Sequence, residues 1–135
     1  MKIQMILFLI ILSSCQKKLE LPKDFSFEYK TYWISINTLD TLYFKRYENR
    51  DTILKLSLTE DEMYKIFYKM NEIDIFNYPK TVCLPSNVFV QEPNRHLKIT
   101  SNNNIYEINW SYPSIDKKAK NLDNLIEFIE NSTTR

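Results

Sequence analysis

The apolar positions of the chain follow two rhythms. Phe25, Phe27, Tyr29, Thr31 and Trp33 alternate with Ser26, Glu28, Lys30 and Tyr32, the period of two that marks a half-buried strand. The apolar positions then shift by one, to Ile34 and Ile36, which implies a bulge or bend near Trp33 within one strand over residues 25–36. Asn37-Thr38-Leu39-Asp40 and Glu48-Asn49-Arg50-Asp51 read as turns, so residues 41–47 and 52–57 follow as further strands of an antiparallel meander. Residues 95–100 and 105–110, on either side of Ser101-Asn102-Asn103-Asn104, form a second hairpin.

The other rhythm is helical. Thr59-Glu60-Asp61-Glu62 is a capping box, and Leu58 before it can staple onto Met63. Met63, Ile66, Phe67 and Met70 then make one apolar face, predicting a helix over residues 60–71. Leu122, Leu125, Ile126 and Ile129 predict a second over residues 117–130. Between 73 and 93 the pattern breaks, and Pro79, Pro85 and Pro93 exclude a long helix or a central strand. Strands joined by hairpin-length links, each group followed by a helix, predict an α+β domain: an antiparallel sheet with both helices packed on one face. The chain has no glycine, so turns needing positive φ fall to Asn or Asp, with Asn49 and Asn102 to Asn104 as the candidates.

The N-terminus has a different character. Met1-Lys2 is followed by an apolar run from Met5 to Leu12 and the small-residue exit Ser13-Ser14-Cys15, the layout of an export signal. The run is far shorter than the roughly 20 residues a spanning helix needs. Leu12-Ser13-Ser14-Cys15 resembles the lipobox of bacterial lipoproteins at all four positions. The resemblance implies cleavage before Cys15 and acylation of that residue, so the expected organisation is a signal peptide over 1–14, a lipidated polar tether over 15–24 and one domain over 25–135. It also implies a cell-envelope location, with Gln16 after the cysteine favouring the outer over the inner membrane of a Gram-negative cell.

Charge narrows the choice of partner. The chain carries 18 basic and 17 acidic residues, and Lys2 is the only charge before Cys15, leaving 17 of each. Such a balance gives no electrostatic reason to bind nucleic acid. With Cys15 committed to lipid, Cys83 has no partner for an intramolecular disulfide, and its apolar neighbours Val82 and Leu84 suggest a buried, inert thiol.

Candidate chemistry is sparse. One His and one remaining Cys, without metal-ligand spacing, do not make a zinc site, and a glycine-free chain cannot form a glycine-rich phosphate loop. No cofactor is expected. Glu60, Asp61 and Glu62 are explained as a helix start. Cys83 and His96 are the one conceivable nucleophile and base. Lys117, Lys118 and Lys120 crowd the first turn of the second helix, where the dipole disfavours them, while Asp123, Glu127 and Glu130 lie toward the opposite end. Either a cap at Ser114 or Asp116 and i, i+4 pairing offset this, or the lysines face anionic lipid or an acidic partner. The aromatic residues Tyr29, Tyr32, Trp33, Tyr43, Phe44, Tyr47, Trp110 and Tyr112 are read chiefly as core, with a solvent-facing row able to stack sugar or peptide as the alternative.

The resulting expectation is a membrane-tethered, non-catalytic binding or interaction module of the cell envelope, of which an inhibitor or immunity protein is one version. Its partners would be the membrane, through lipid on Cys15, and an envelope protein. The alternatives are a small thiol hydrolase using Cys83 and His96, and a structural lipoprotein without a specific ligand.

Overall fold

A computed structural model of the protein describes residues 18–82 and 93–134. In chain order it contains β1 (Ser26–Lys30), β2 (Ile34–Asn37), β3 (Leu42–Arg46), β4 (Asp51–Lys55), α1 (Glu60–Glu72), a 3₁₀ turn (Ile75–Asn77), β5 (Thr81–Val82), β6 (Arg95–Ser101), β7 (Asn104–Trp110) and α2 (Lys117–Thr133). The strands form one sheet in the order β4-β3-β2-β1-β6-β7-β5, antiparallel throughout except for β5, which runs parallel to β7. The architecture is α+β, as the patterning implied.

The expected strand over 25–36 is instead a hairpin. Thr31 N–H donates to the Ile34 carbonyl at 2.8 Å, and the Thr31 hydroxyl accepts from the N–H groups of Trp33 and Ile34. Lys30 thereby comes opposite Ser35. The one-residue shift of the apolar positions is the mark of this turn. Phe27 and Tyr29 before it and Ile36 after it enter the same core.

One face of the sheet is apolar and the helices lie on it. Tyr43, Leu97, Ile99, Ile108 and Trp110 join the β1 and β2 residues there, and they meet Ile66 and Met70 of α1 and Leu122, Ile126 and Ile129 of α2. The Tyr29 and Trp110 rings stack at 6.1 Å. The capping box of α1 is formed: the Thr59 hydroxyl accepts from Glu62 N–H at 3.2 Å, and the Glu62 carboxylate accepts from Thr59 N–H at 2.9 Å. Asp116 caps α2 by accepting from the N–H groups of Lys118 and Ala119, while the Ser114 hydroxyl accepts from Asp116 N–H.

Positive φ occurs at Asn102 and Asn103, as expected, and also at Thr41 and Asp74, but not at Asn49 or Asn104. Thr41 was expected to open a strand. The Asn37 side chain instead accepts from the N–H groups of Leu39 and Asp40, which tightens the turn and pushes its left-handed residue onto Thr41. Of the residues expected to form a polar tether, 15–24, Leu19 and Leu21 pack against the core. Asp24 reaches across to the β6–β7 turn, accepting from Asn103 N–H at 2.7 Å and Asn102 N–H at 2.9 Å. Those two donors hold its carboxyl below the usual carboxylate range.

Candidate functional site

At the end of the sheet where β6 begins and β7 ends, Arg95 and Trp110 are cross-strand partners on the helix-covered face. Both reach α2 through one atom: Oδ1 of Asp123 accepts from Arg95 Nη1 and from Trp110 Nε1, each at 2.9 Å. The guanidinium also lies over the Tyr112 ring, 4.1 Å from its centroid. Tyr112 is fixed in turn by Asn94, whose side chain donates to its carbonyl at 3.1 Å and accepts from its N–H at 3.0 Å. Arg95 is therefore contacted on two sides, by Asp123 and by the Tyr112 ring.

Beside this assembly opens a cleft of about 490 Å³. Tyr29 and Ile34 line it together with the β1–β2 turn residues Thr31, Tyr32 and Trp33, with Asn94, Arg95 and Tyr112, and with Glu130 of α2. Three of its rings face solvent: Tyr32 is 67% exposed, Tyr112 51% and Trp33 50%. Tyr32 and Trp33 meet edge to face at 4.8 Å, and Arg46 lies 4.8 Å over the Tyr32 ring, so the turn is a braced aromatic rim. Burial pushes the Glu130 carboxyl above its usual range, opposed by the nearby positive charges of Arg95 and Lys45. Burial also raises the Tyr29 hydroxyl, whose ring belongs to the core.

The aromatic set thus divides. Tyr29, Tyr43 and Trp110 are core, whereas Tyr32, Trp33, Tyr47 and Tyr112 are exposed. The sequence placed Arg95 only on a strand and Glu130 only in a misplaced acidic run, and did not bring them together in a site, since they lie far apart in the chain. The available signal was the acidic run Asp123, Glu127, Glu130 at the unfavourable end of its helix.

The other expected site residues are placed as follows. Cys15 and Cys83 lie outside the described residues. His96 is half-buried on β6, and its Nδ1 meets Oδ1 of its cross-strand partner Asn109, whose amide nitrogen donates to the Lys80 carbonyl at 3.3 Å. Lys117, Lys118 and Lys120 are all exposed at the start of α2. Lys118 lies 5.3 Å over the Tyr78 ring. The expected i, i+4 pairing does not form: Asp116, four residues before Lys120, is occupied as the helix cap, Asp123 is taken by Arg95 and Trp110, and neither Lys117 nor Lys120 makes an ion pair among the described residues.

Among the described residues no group of His, Cys, Asp and Glu side chains could hold a metal ion, and no helix is long and apolar enough to cross a membrane. No family model, no curated protein and no solved structure matches the chain.

Proposed function

We propose that the protein is a lipid-anchored, non-catalytic binding module of the cell envelope, and that the cleft between the β1–β2 turn, Tyr112 and Glu130 is its ligand site. The observation that carries this reading is the set of three solvent-facing rings, Tyr32, Trp33 and Tyr112, around a cleft also lined by Arg95 and a half-buried Glu130. Exposed aromatic faces stack on flat, weakly polar ligand faces, and a carboxylate partly shielded from water accepts hydrogen bonds that full solvation would weaken. A saccharide offers both features. Arg95 is braced by Asp123 and Tyr112, which suits recognition by a rigid site.

The anchor rests on the resemblance of Leu12-Ser13-Ser14-Cys15 to a lipobox. Leu19 already packs against the core, so residues 16–18 alone would separate the acylated cysteine from the domain. Two or more acyl chains, at about 0.8 kcal/mol per buried CH₂, would hold the domain close against its bilayer. Cys15→Ala should release the protein from membranes or leave it unprocessed.

Titration of the full chain in detergent with malto-, cello- and chito-oligosaccharides, followed by tryptophan fluorescence, tests the site. A saturable change that disappears in Trp33→Ala is expected, because Trp110 is buried and Trp33 is not. No change with any of the three series would remove the saccharide reading.

A second reading, a thiol hydrolase using Cys83 and His96, is favoured by one observation. The side-chain oxygen of Asn109, whose amide nitrogen is directed to the Lys80 carbonyl, faces Nδ1 of His96, an arrangement in which a proton on Nδ1 would leave Nε2 to act as the base. Rapid alkylation of Cys83 in the native protein, with loss of an esterase or peptidase activity, would establish it.

A further inference from the structure

We infer that β4 is a docking edge for a second copy of this chain, pairing antiparallel with itself about Ile53. β4 ends the sheet, hydrogen-bonded to β3 on one side and to no strand among the described residues on the other. The backbone register identifies which groups are free. Tyr47 N–H donates to the Arg50 carbonyl and Leu56 N–H to the Thr41 carbonyl, so the hydrogen-bonded pairs of this hairpin use residues 50, 52, 54 and 56 of the second strand. Asp51, Ile53 and Lys55 therefore turn their N–H and C=O groups outward.

Natural sheets blunt such edges with proline, a bulge, inward-pointing charge or a covering segment. β4 has regular pairing with β3 and no proline, and Ile53 is 68% exposed with Leu54 49% exposed. Among the described residues its only guards are the charges at its two ends, Asp51 and Lys55. Those charges are also what selects the partner.

When the segment Asp51-Thr52-Ile53-Leu54-Lys55 lies antiparallel to itself with Ile53 at the centre, Asp51 of each copy falls opposite Lys55 of the other. This register matches the free backbone groups: Asp51 and Lys55 exchange both hydrogen bonds at each end, and Ile53 exchanges both with its own copy. A parallel alignment in register would instead set Asp51 beside Asp51 and Lys55 beside Lys55, and a shift by one residue would oppose free groups to groups already bonded to β3. Lys55 makes no ion pair among the described residues, and Asp51 is only loosely engaged by Arg46 at 3.8 Å. The two Ile53 side chains would meet on the face away from the helices, each flanked by Phe44 of its own copy, the cross-strand neighbour of Ile53. The pairing axis is perpendicular to the sheet, so the helices of both copies stay on one side of a continuous doubled sheet.

The full chain, purified in detergent, provides the test through its protein mass measured by light scattering across concentration. A two-copy mass is expected at about 0.1 mM. Lys55→Glu should weaken the dimer about tenfold, since it turns both end pairs from attractive to repulsive. Adding Asp51→Lys to Lys55→Glu should restore it, which a general loss of folding or solubility would not allow. A one-copy mass at that concentration, or a dimer indifferent to Lys55→Glu, overturns the inference. Thr52→Cys with Leu54→Cys in a Cys83→Ser background gives an independent reading. Those positions oppose each other as a close pair across the axis, about 4.5 Å between Cα atoms, and should form an intermolecular disulfide above the level of the parent without the added cysteines.

Discussion

The indole N–H of Trp110 donates to Oδ1 of Asp123, and this bond ties the last residue of β7 to the middle of α2. Because Arg95 Nη1 uses the same oxygen, one carboxylate joins two strands and a helix at the end of the core where the cleft opens. The Arg95 and Asp123 side chains are only 21% and 18% exposed, so solvent screens the pair weakly.

Asp123→Ala should therefore cost about 2–3 kcal/mol, as it leaves a buried indole donor and a half-desolvated guanidinium without their acceptor. Chemical denaturation checks the magnitude. Loss of the Arg95 brace should also loosen Tyr112, so oligosaccharide binding should weaken more than a stability change alone would predict. A loss under about 0.5 kcal/mol would show that water replaces the carboxylate.

Glu130 opposes stability at neutral pH. Burial raises its folded-state pKa above the unfolded value, so the folded protein binds more protons across the interval between the two, and stability falls as pH rises through it. Glu130→Gln should thus be more stable than the parent at pH 7, with the difference vanishing below about pH 4, where both forms are neutral. Thermal melts at the two pH values measure this. If Glu130 accepts hydrogen bonds from the ligand, the same variant should bind oligosaccharide less well, so that stability and binding move in opposite directions.

How much of this was legible in the sequence depended on how local each cause was. α1 and α2 were visible because a capping box, a capping acid and a helical apolar period all lie within a few residues of one another. The β1–β2 turn was hidden because its tip is Tyr32-Trp33, aromatic residues that continue an apolar alternation where turns usually show Gly, Asn or Pro. Only the parity change between Trp33 and Ile34 betrayed it. β5 is two residues long and exists through pairing with β7, which no local pattern encodes. The cleft was illegible for the same reason. Arg95, Tyr112 and Glu130 meet through sheet register and helix packing, and the misplaced acids of α2 made sense only once Arg95 stood opposite them.

Thr41 illustrates what the absence of glycine costs. A β-branched residue in the left-handed region is disfavoured by roughly 1–2 kcal/mol, and here its φ is 53°. Thr41→Gly should remove that penalty and lose part of the gain to greater freedom in the unfolded chain, for a net stabilisation of about 0.5–1 kcal/mol. Unchanged or lower stability in denaturant melts would mean that the turn is held by contacts of the Thr41 side chain.

The lysines at the start of α2 stand against its dipole. Lys117 and Lys120 are exposed without an ion pair among the described residues, and Lys118 has the Tyr78 ring, so the dipole conflict is not relieved by pairing. Changing all three to Gln should raise stability by up to about 1 kcal/mol, less whatever the Lys118 cation–π contact contributes. If the lysines serve contact with anionic headgroups, the same variant should associate less with vesicles rich in anionic lipid, most visibly at low salt, where screening is least. Cosedimentation of a Cys15→Ala form isolates that effect from the acyl anchor. Equal cosedimentation of the triple variant and its parent at every salt concentration would leave the three lysines as a solvated helix face.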